Sequence, residues 1–278
     1  MNSKSRIASI LKTNNLDSSI TGLPTFDLAG GKVKKMNMGG MADKEGRALA
    51  KDKKGMTAGL GHLAEKIVSE LIKSSSNFNV IYENIQILEE DKTIGEIDFI
   101  IENQNTKQLL HVELAYKFYL FDPSISSETV NNWIGPNRND SLKEKLDKLK
   151  TKQFPLLYHT CTKTTVNTVE INKISQALCL LVSLYIPYEY KANFNPIYQK
   201  AIKGYYLNFK TFMQLDNPKK TYYIPTKKEW GMEPAENEIW TSFSTVEEQM
   251  STSMEEKQAV LCWQKQNNTF LSFFIVWW

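Results

Sequence analysis

Residues 57–121 restrict the fold more than any other stretch, because one amphipathic helical pattern runs directly into three strand patterns. In "TAGLGHLAEKIVSELIKSS", Leu60, Leu63, Ala64, Ile67, Val68, Leu71 and Ile72 recur at the three-to-four spacing of a single helical face. "FNVIYENIQILEED", "TIGEIDFIIE" and "KQLLHVELAYKFYLF" then alternate with the period of a strand. The connections are short enough for consecutive antiparallel hairpins, and the polar "ENQNTK" suits the second turn. After a loop, "DSLKEKLDKLKTKQF" reads as a charged helix with a narrow stripe of Leu142, Leu146 and Leu149, capped by Asp140 or Ser141. "PLLYHTC" and "TVNTVEI" read as further strands, and "NKISQALCLLVSLYI" as a buried helix stopped by Pro187. This order predicts an α+β, or mixed α/β, chain.

At 278 residues the chain is long enough for one large domain or two modest ones, each with a real core. Three segments are expected: an amino-terminal helix, loop and basic linker over 1–56, a core over 57–190, and an aromatic-rich α+β extension over 191–278 packed on that core. The extension has strand-like aromatic pieces around one helix near 245–256 and ends in "FLSFFIVWW", read as a buried edge strand. The Gly-, Lys- and Met-rich stretch 31–56 has no sustained period and reads either as a solvated linker or as a basic arm for a phosphate backbone.

Composition excludes several classes. A chain that is 41% hydrophobic and 23% charged is an ordinary globular one. A net charge of +3 is too small to demand a polyanionic partner. Three separated cysteines without a CxxC pair, together with only three histidines, exclude a zinc finger and argue against a disulfide framework. The amino terminus has too short an apolar stretch for a secretory signal, and the longest apolar runs fall short of the roughly 20 residues a membrane-spanning helix needs. A cytoplasmic protein without a membrane partner is therefore expected.

Side chains alternate in a strand, so Leu110, Val112, Leu114, Tyr116 and Phe118 form one wall, expected to face the core. The other wall carries His111, Glu113, Ala115, Lys117 and Tyr119, while Glu96 and Asp98 share a face of the preceding strand. In the obvious hairpin register Asp98 and Glu113 point into the same space. Their oxygens suit Mg²⁺ or Mn²⁺, which would activate water and neutralise charge on a phosphodiester. Lys117 is placed to orient water or stabilise an anionic transition state, and Glu65 on the preceding helix to add a carboxylate. The same alternation is also what a half-solvated antiparallel sheet shows. In that reading His111 is a hydrogen-bonded structural residue, and Glu65 and Glu96 are solvated neighbours.

A helix bearing a Glu, a strand with "GEID" and a strand with "HVELAYK" resemble the core of the PD-(D/E)XK phosphodiesterase superfamily, which includes restriction endonucleases and repair nucleases. "GEIDFI", "HVELAYKFYL" and "WIGPNRNDSLKEKLDKLKTKQ" resemble, more closely, a bacterial family of unknown function within that superfamily, over roughly 57–185. The resemblance implies a restriction-endonuclease-like αβββαβ core, Asp98 and Glu113 as ligands of Mg²⁺ or Mn²⁺, Glu65 as an accessory acid, and nucleic acid, chiefly DNA, as substrate. It also exposes a departure. The superfamily pattern is Glu-x-Lys, yet Ala115 occupies the lysine position. Lys117 shares that face about 6.6–6.8 Å further along, and Lys145 on the following helix is the other candidate for the catalytic cation. Gln153 resembles a glutamine of the family's third motif, with a substrate-contact or a helix-end role. In "WIGPNRND", Trp133 either stacks on a base or anchors the loop in the core, and Arg138 is placed to meet a phosphate.

Three readings follow: a metal-dependent nuclease, a catalytically silent nucleic-acid- or protein-binding module of the same fold, and an unrelated α+β protein whose hairpin face is merely wet.

Overall fold

The computed structural model describes residues 3–28 and 59–278; the expected linker or basic arm of 31–56 lies outside the described residues. The secondary structure runs α1 (Ser3–Lys12), α2 (Leu60–Lys73), β1 (Phe78–Glu89), β2 (Lys92–Asn103), β3 (Leu109–Phe121), α3 (Leu142–Lys148), α4 (Thr160–Thr165) and β4 (Ile174–Pro187). It continues with α5 (Pro196–Ala201), β5 (Ile202–Asn208), α6 (Phe209–Leu215), β6 (Lys220–Tyr223), α7 (Phe243–Glu255), β7 (Val260–Gln266) and β8 (Thr269–Val276). Short turns of helix and two-residue strands complete it. The fold is mixed α/β, as the sequence predicts.

Two compact units are built from interleaved stretches, Asn15–Tyr116 with Glu144–Leu181, and Lys117–Lys143 with Val182–Trp278 and α1. The boundaries between the units fall within strands β3 and β4.

The first unit contains α2 and the meander. β1 pairs antiparallel with β2 from Phe78↔Asn103 to Glu89↔Lys92, and β2 pairs antiparallel with β3 from Glu102↔Leu109 to Phe99↔Val112. α2 buries Leu63, Ala64, Ile67, Val68, Leu71 and Ile72, which are the predicted stripe except for Leu60. At roughly 1.5–3 kcal/mol for each large aliphatic side chain buried, that stripe is what holds the helix down. A second cluster joins Ile87, Ile97 and Ile100 to Leu156, Leu157, Val166, Ile171 and Ile174.

Three expectations fail here, each for a physical reason. Residues 174–187 are strand β4, not a helix. The run is buried almost throughout, and an apolar stretch with no polar face offers no period to separate a buried strand from a buried helix. "PLLYHTC" and "TVNTVEI" are not strands: Phe154–Leu156 and Thr160–Thr165 are helical, and Ile171–Lys173 is a 3₁₀ turn. Finally, the second wall of β3 is not wet. His111 and Glu113 have no exposed surface and Ala115 has 6%, because this strand is covered on both faces.

The second unit has a mixed sheet. β5 runs parallel to β4 and to β8, β8 pairs antiparallel with β7, and β7 with β6. The final strand is therefore interior, flanked by β5 and β7, and not the expected edge. Its Phe273 and Ile275 pack with Leu207, Phe212, Tyr222, Val246, Met250, Val260 and Cys262. All three cysteines are free, and burial pushes the Cys179 and Cys262 thiols up. No helix among the described residues is long and apolar enough to cross a membrane.

In the "GEID" motif, a Cβ at Gly95 would stand 2.6 Å from Leu156 Cδ2, so this glycine lets Leu156 lie directly on β2. Gly95→Ala is expected to cost about 1–3 kcal/mol by overpacking. The penalty should shrink in a Leu156→Ala background, as a double-mutant cycle by urea denaturation measures.

Candidate functional site

The β2–β3 ladder ends at Phe99↔Val112, and one residue further on each strand stand Asp98 and Glu113. The Asp98 carboxylate replaces a backbone carbonyl there: its Oδ2 accepts the Leu114 N–H at 2.8 Å. Asp98 is 9% exposed and Glu113 is fully buried. The two acids predicted from alternation are thus neighbours in the interior.

Glu113 is held from both sides. Its Oε1 lies 2.8 Å from His111 Nε2, and its Oε2 accepts the Gln153 amide at 2.6 Å. Gln153 Oε1 in turn accepts Lys145 Nζ at 3.0 Å. Behind His111, Gln176 Nε2 donates to the Phe154 carbonyl at 2.7 Å and lies 3.1 Å from His111 Nδ1.

A local irregularity brings Lys145 and Gln153 together. They are eight residues apart, which in an unbroken α-helix leaves about 80° between them around the axis. Between them Leu149–Gln153 forms a π-helical turn, in which the Phe154 N–H bonds the Leu149 carbonyl. The extra residue in that turn rotates Gln153 back towards the phase of Lys145. Pro155 supplies the cause, since it has no N–H for the carbonyl four residues back and its ring crowds that carbonyl.

Asp98, Glu65, Glu96 and Gln153 line a cavity of about 580 Å³, with His62, Asn84, Gln86, Gly95, Lys148, Lys152 and Leu156 among its other walls. Glu65 comes from α2 and has His62 Nδ1 3.4 Å from its Oε2. Glu96, read as an exposed neighbour, is half-buried in the wall.

Burial and the charge of Glu113, with a further contribution from Glu65, push the Asp98 carboxyl up to about 8, against the opposing Leu114 N–H and Lys145. Burial and the charges of Glu65 and Glu113 also raise Glu96, while His62 opposes. The donor set is carboxylate oxygen, the chemistry that hard divalent cations take, and Asp98 and Glu113 are the residues that could hold such an ion.

The remaining predicted residues lie elsewhere. Lys117 Nζ is paired with Asp140 at 2.7 Å, and Lys145 is the lysine whose charge acts on Asp98. Trp133 is fully buried against Phe121, Phe194 and Tyr198 and presents no face to a base. Arg138 pairs with Asp122 at 3.0 Å and lies 4.5 Å over the Trp278 ring. Sequence reading passed over His62, Lys148, Lys152 and Gln176. The lysines were hidden in a helix whose charges alternate, and Gln176 in a stretch read as helix. A separate group, Glu89, His159 and Cys161, brings ligand atoms within 4.8 Å of one another, but His159 Nδ1 already accepts the Cys161 N–H at 3.3 Å.

These observations define a mixed α/β protein with paired interior carboxylates, of which Asp98 lines a polar cavity. Over residues 41–270 the chain matches the family described as a domain of unknown function (DUF1853), and it belongs to that family. No curated protein and no solved structure matches it.

The raised Asp98 carboxyl sets a pH dependence. From about pH 4 to about pH 8 the folded chain holds a proton that the unfolded chain, with the ordinary value of 3.8, has released. Stability of the metal-free protein should therefore fall as pH rises through this window, by up to about 1.4 kcal/mol per unit. Asp98→Asn should flatten that fall, as urea denaturation across the window measures.

Proposed function

We propose that this protein is a metal-dependent nuclease, with Asp98 and Glu113 holding Mg²⁺ or Mn²⁺ for phosphodiester hydrolysis of nucleic acid, DNA first. The observation that carries the reading is the pairing of these two buried acids from adjacent strands, with Asp98 lining a polar cavity. The order α2, β1–β3, α3, β4, with the short α4 between α3 and β4, supports a restriction-endonuclease-like αβββαβ core.

A bound divalent ion would supply an acidified water and neutralise charge at the phosphate. The chain's own residues do the rest. Glu113 is oriented by His111 and Gln153. Lys145, steadied by Gln153, takes in this reading the role of the lysine that Ala115 replaces, and its charge opposes the rise of the Asp98 carboxyl. Lys148 and Lys152 on the cavity wall offer cations to flanking phosphates. Glu65 is the accessory acid.

One observation favours the second reading, a catalytically silent binding module: Lys117, the lysine on the strand itself, is tied to Asp140. Mn²⁺ titration calorimetry on the full chain is expected to show binding that Asp98→Ala and Glu113→Ala abolish. If wild type binds no Mn²⁺, the metal reading is lost. Cleavage of plasmid and single-stranded substrates with Mn²⁺ should then fall at least 100-fold in Lys145→Ala and little in Lys117→Ala, in line with the loss of a charge-stabilising group. Metal binding without cleavage selects the binding module.

A further inference from the structure

The histidine beside Glu113 has a more specific task than filling the core, and the hydrogen-bond directions reveal it. A carbonyl oxygen only accepts, so the Gln176 atom 2.7 Å from the Phe154 carbonyl is the amide nitrogen. That nitrogen has a second N–H, and His111 Nδ1 lies 3.1 Å from it. His111 Nδ1 is therefore an acceptor and carries no proton. The ring's proton is on Nε2, which donates to Glu113 Oε1 at 2.8 Å.

Two relays thus end on one carboxylate. His111, backed by Gln176 at its Nδ1, donates to Oε1, and Gln153, backed by Lys145 at its Oε1, donates to Oε2. His111 has no exposed surface, and its ring is further fixed edge-on to Phe154, with centroids 5.4 Å apart. A fully buried imidazole and carboxylate are costly to keep unless their geometry serves something, since an apolar pair of similar volume is commonly as stable.

We propose that His111, locked as its Nε2–H tautomer by Gln176, is a positioning residue for the divalent-cation site. It pins the inner oxygen of Glu113 so that Oε2, the oxygen shared with cavity-lining Gln153, is presented to the ion. This inference rests on the metal reading given above. Partners that orient a ligand in this way are typically worth 10–100-fold in metal affinity.

The test uses the full chain, with Mn²⁺ as the probe. Calorimetry is expected to show 10–100-fold weaker binding in His111→Leu and in Gln176→Leu. His111→Gln, which keeps an N–H donor near the same place, should recover most of that loss. Nitrogen-15 spectra of the metal-free wild type should show His111 protonated at Nε2 and not at Nδ1, and Gln176→Leu should mix the two tautomers. Wild-type affinity in folded Gln176→Leu, or no recovery in His111→Gln, overturns the proposal. So does a His111 proton on Nδ1, a result that stands even if a leucine variant fails to fold. If wild type binds no Mn²⁺, the metal reading fails by itself, and the tautomer spectra still decide whether Gln176 and His111 clamp Glu113.

Discussion

A carboxylate fully enclosed in the middle of a strand is the constraint around which the rest of the first unit is arranged. Glu113 has lost its water, so each oxygen must find a donor within the protein. The donors come from its own strand through His111 and from the helical turn that ends at Gln153. The second acid, Asp98, then stands in the field of the first, with one backbone N–H to steady it. Two like charges in one interior are tolerated only where one of them keeps its proton or a cation joins them. The elevation of the Asp98 carboxyl expresses the first solution, and the oxygen-rich wall provides for the second.

How much of this was legible in the sequence depends on whether burial leaves a pattern behind. α2 is half-buried, so its stripe reads directly from Leu63 to Ile72. β1 is only partly covered along its length, so its alternation also shows in the sequence. The pairing of Asp98 with Glu113 followed from the alternation of side chains along β2 and β3 and a short turn. β4 is the opposite case. Covered on both faces, it gives the chain no polar residue at a regular interval, and Leu178, Leu180, Leu181 and Leu184 serve a buried strand as readily as a buried helix.

Parts of the site were invisible for a different reason. Nothing in the spacing of Lys145 and Gln153 puts them on one side of a helix, because the usual 3.6-residue repeat separates them. The widened turn ahead of Pro155 overrides that repeat. Its one sequence sign is a proline inside a helical pattern, which reads equally well as a simple stop. Trp133 is ambiguous between base stacking and core anchoring, and three aromatic neighbours, two of them from later in the chain, decide for the core.

The segments that secure Glu113 lie far apart along the chain. Gln153 is 40 positions away, and Gln176 is 65 positions from His111. Contacts of such span close late, after the entropy of the intervening loops has been spent. A nascent chain that has made only the three-stranded meander therefore carries a charged side chain with no lodging inside the sheet. The enclosure of Glu113 is therefore complete only once two glutamines from downstream of the meander are in place.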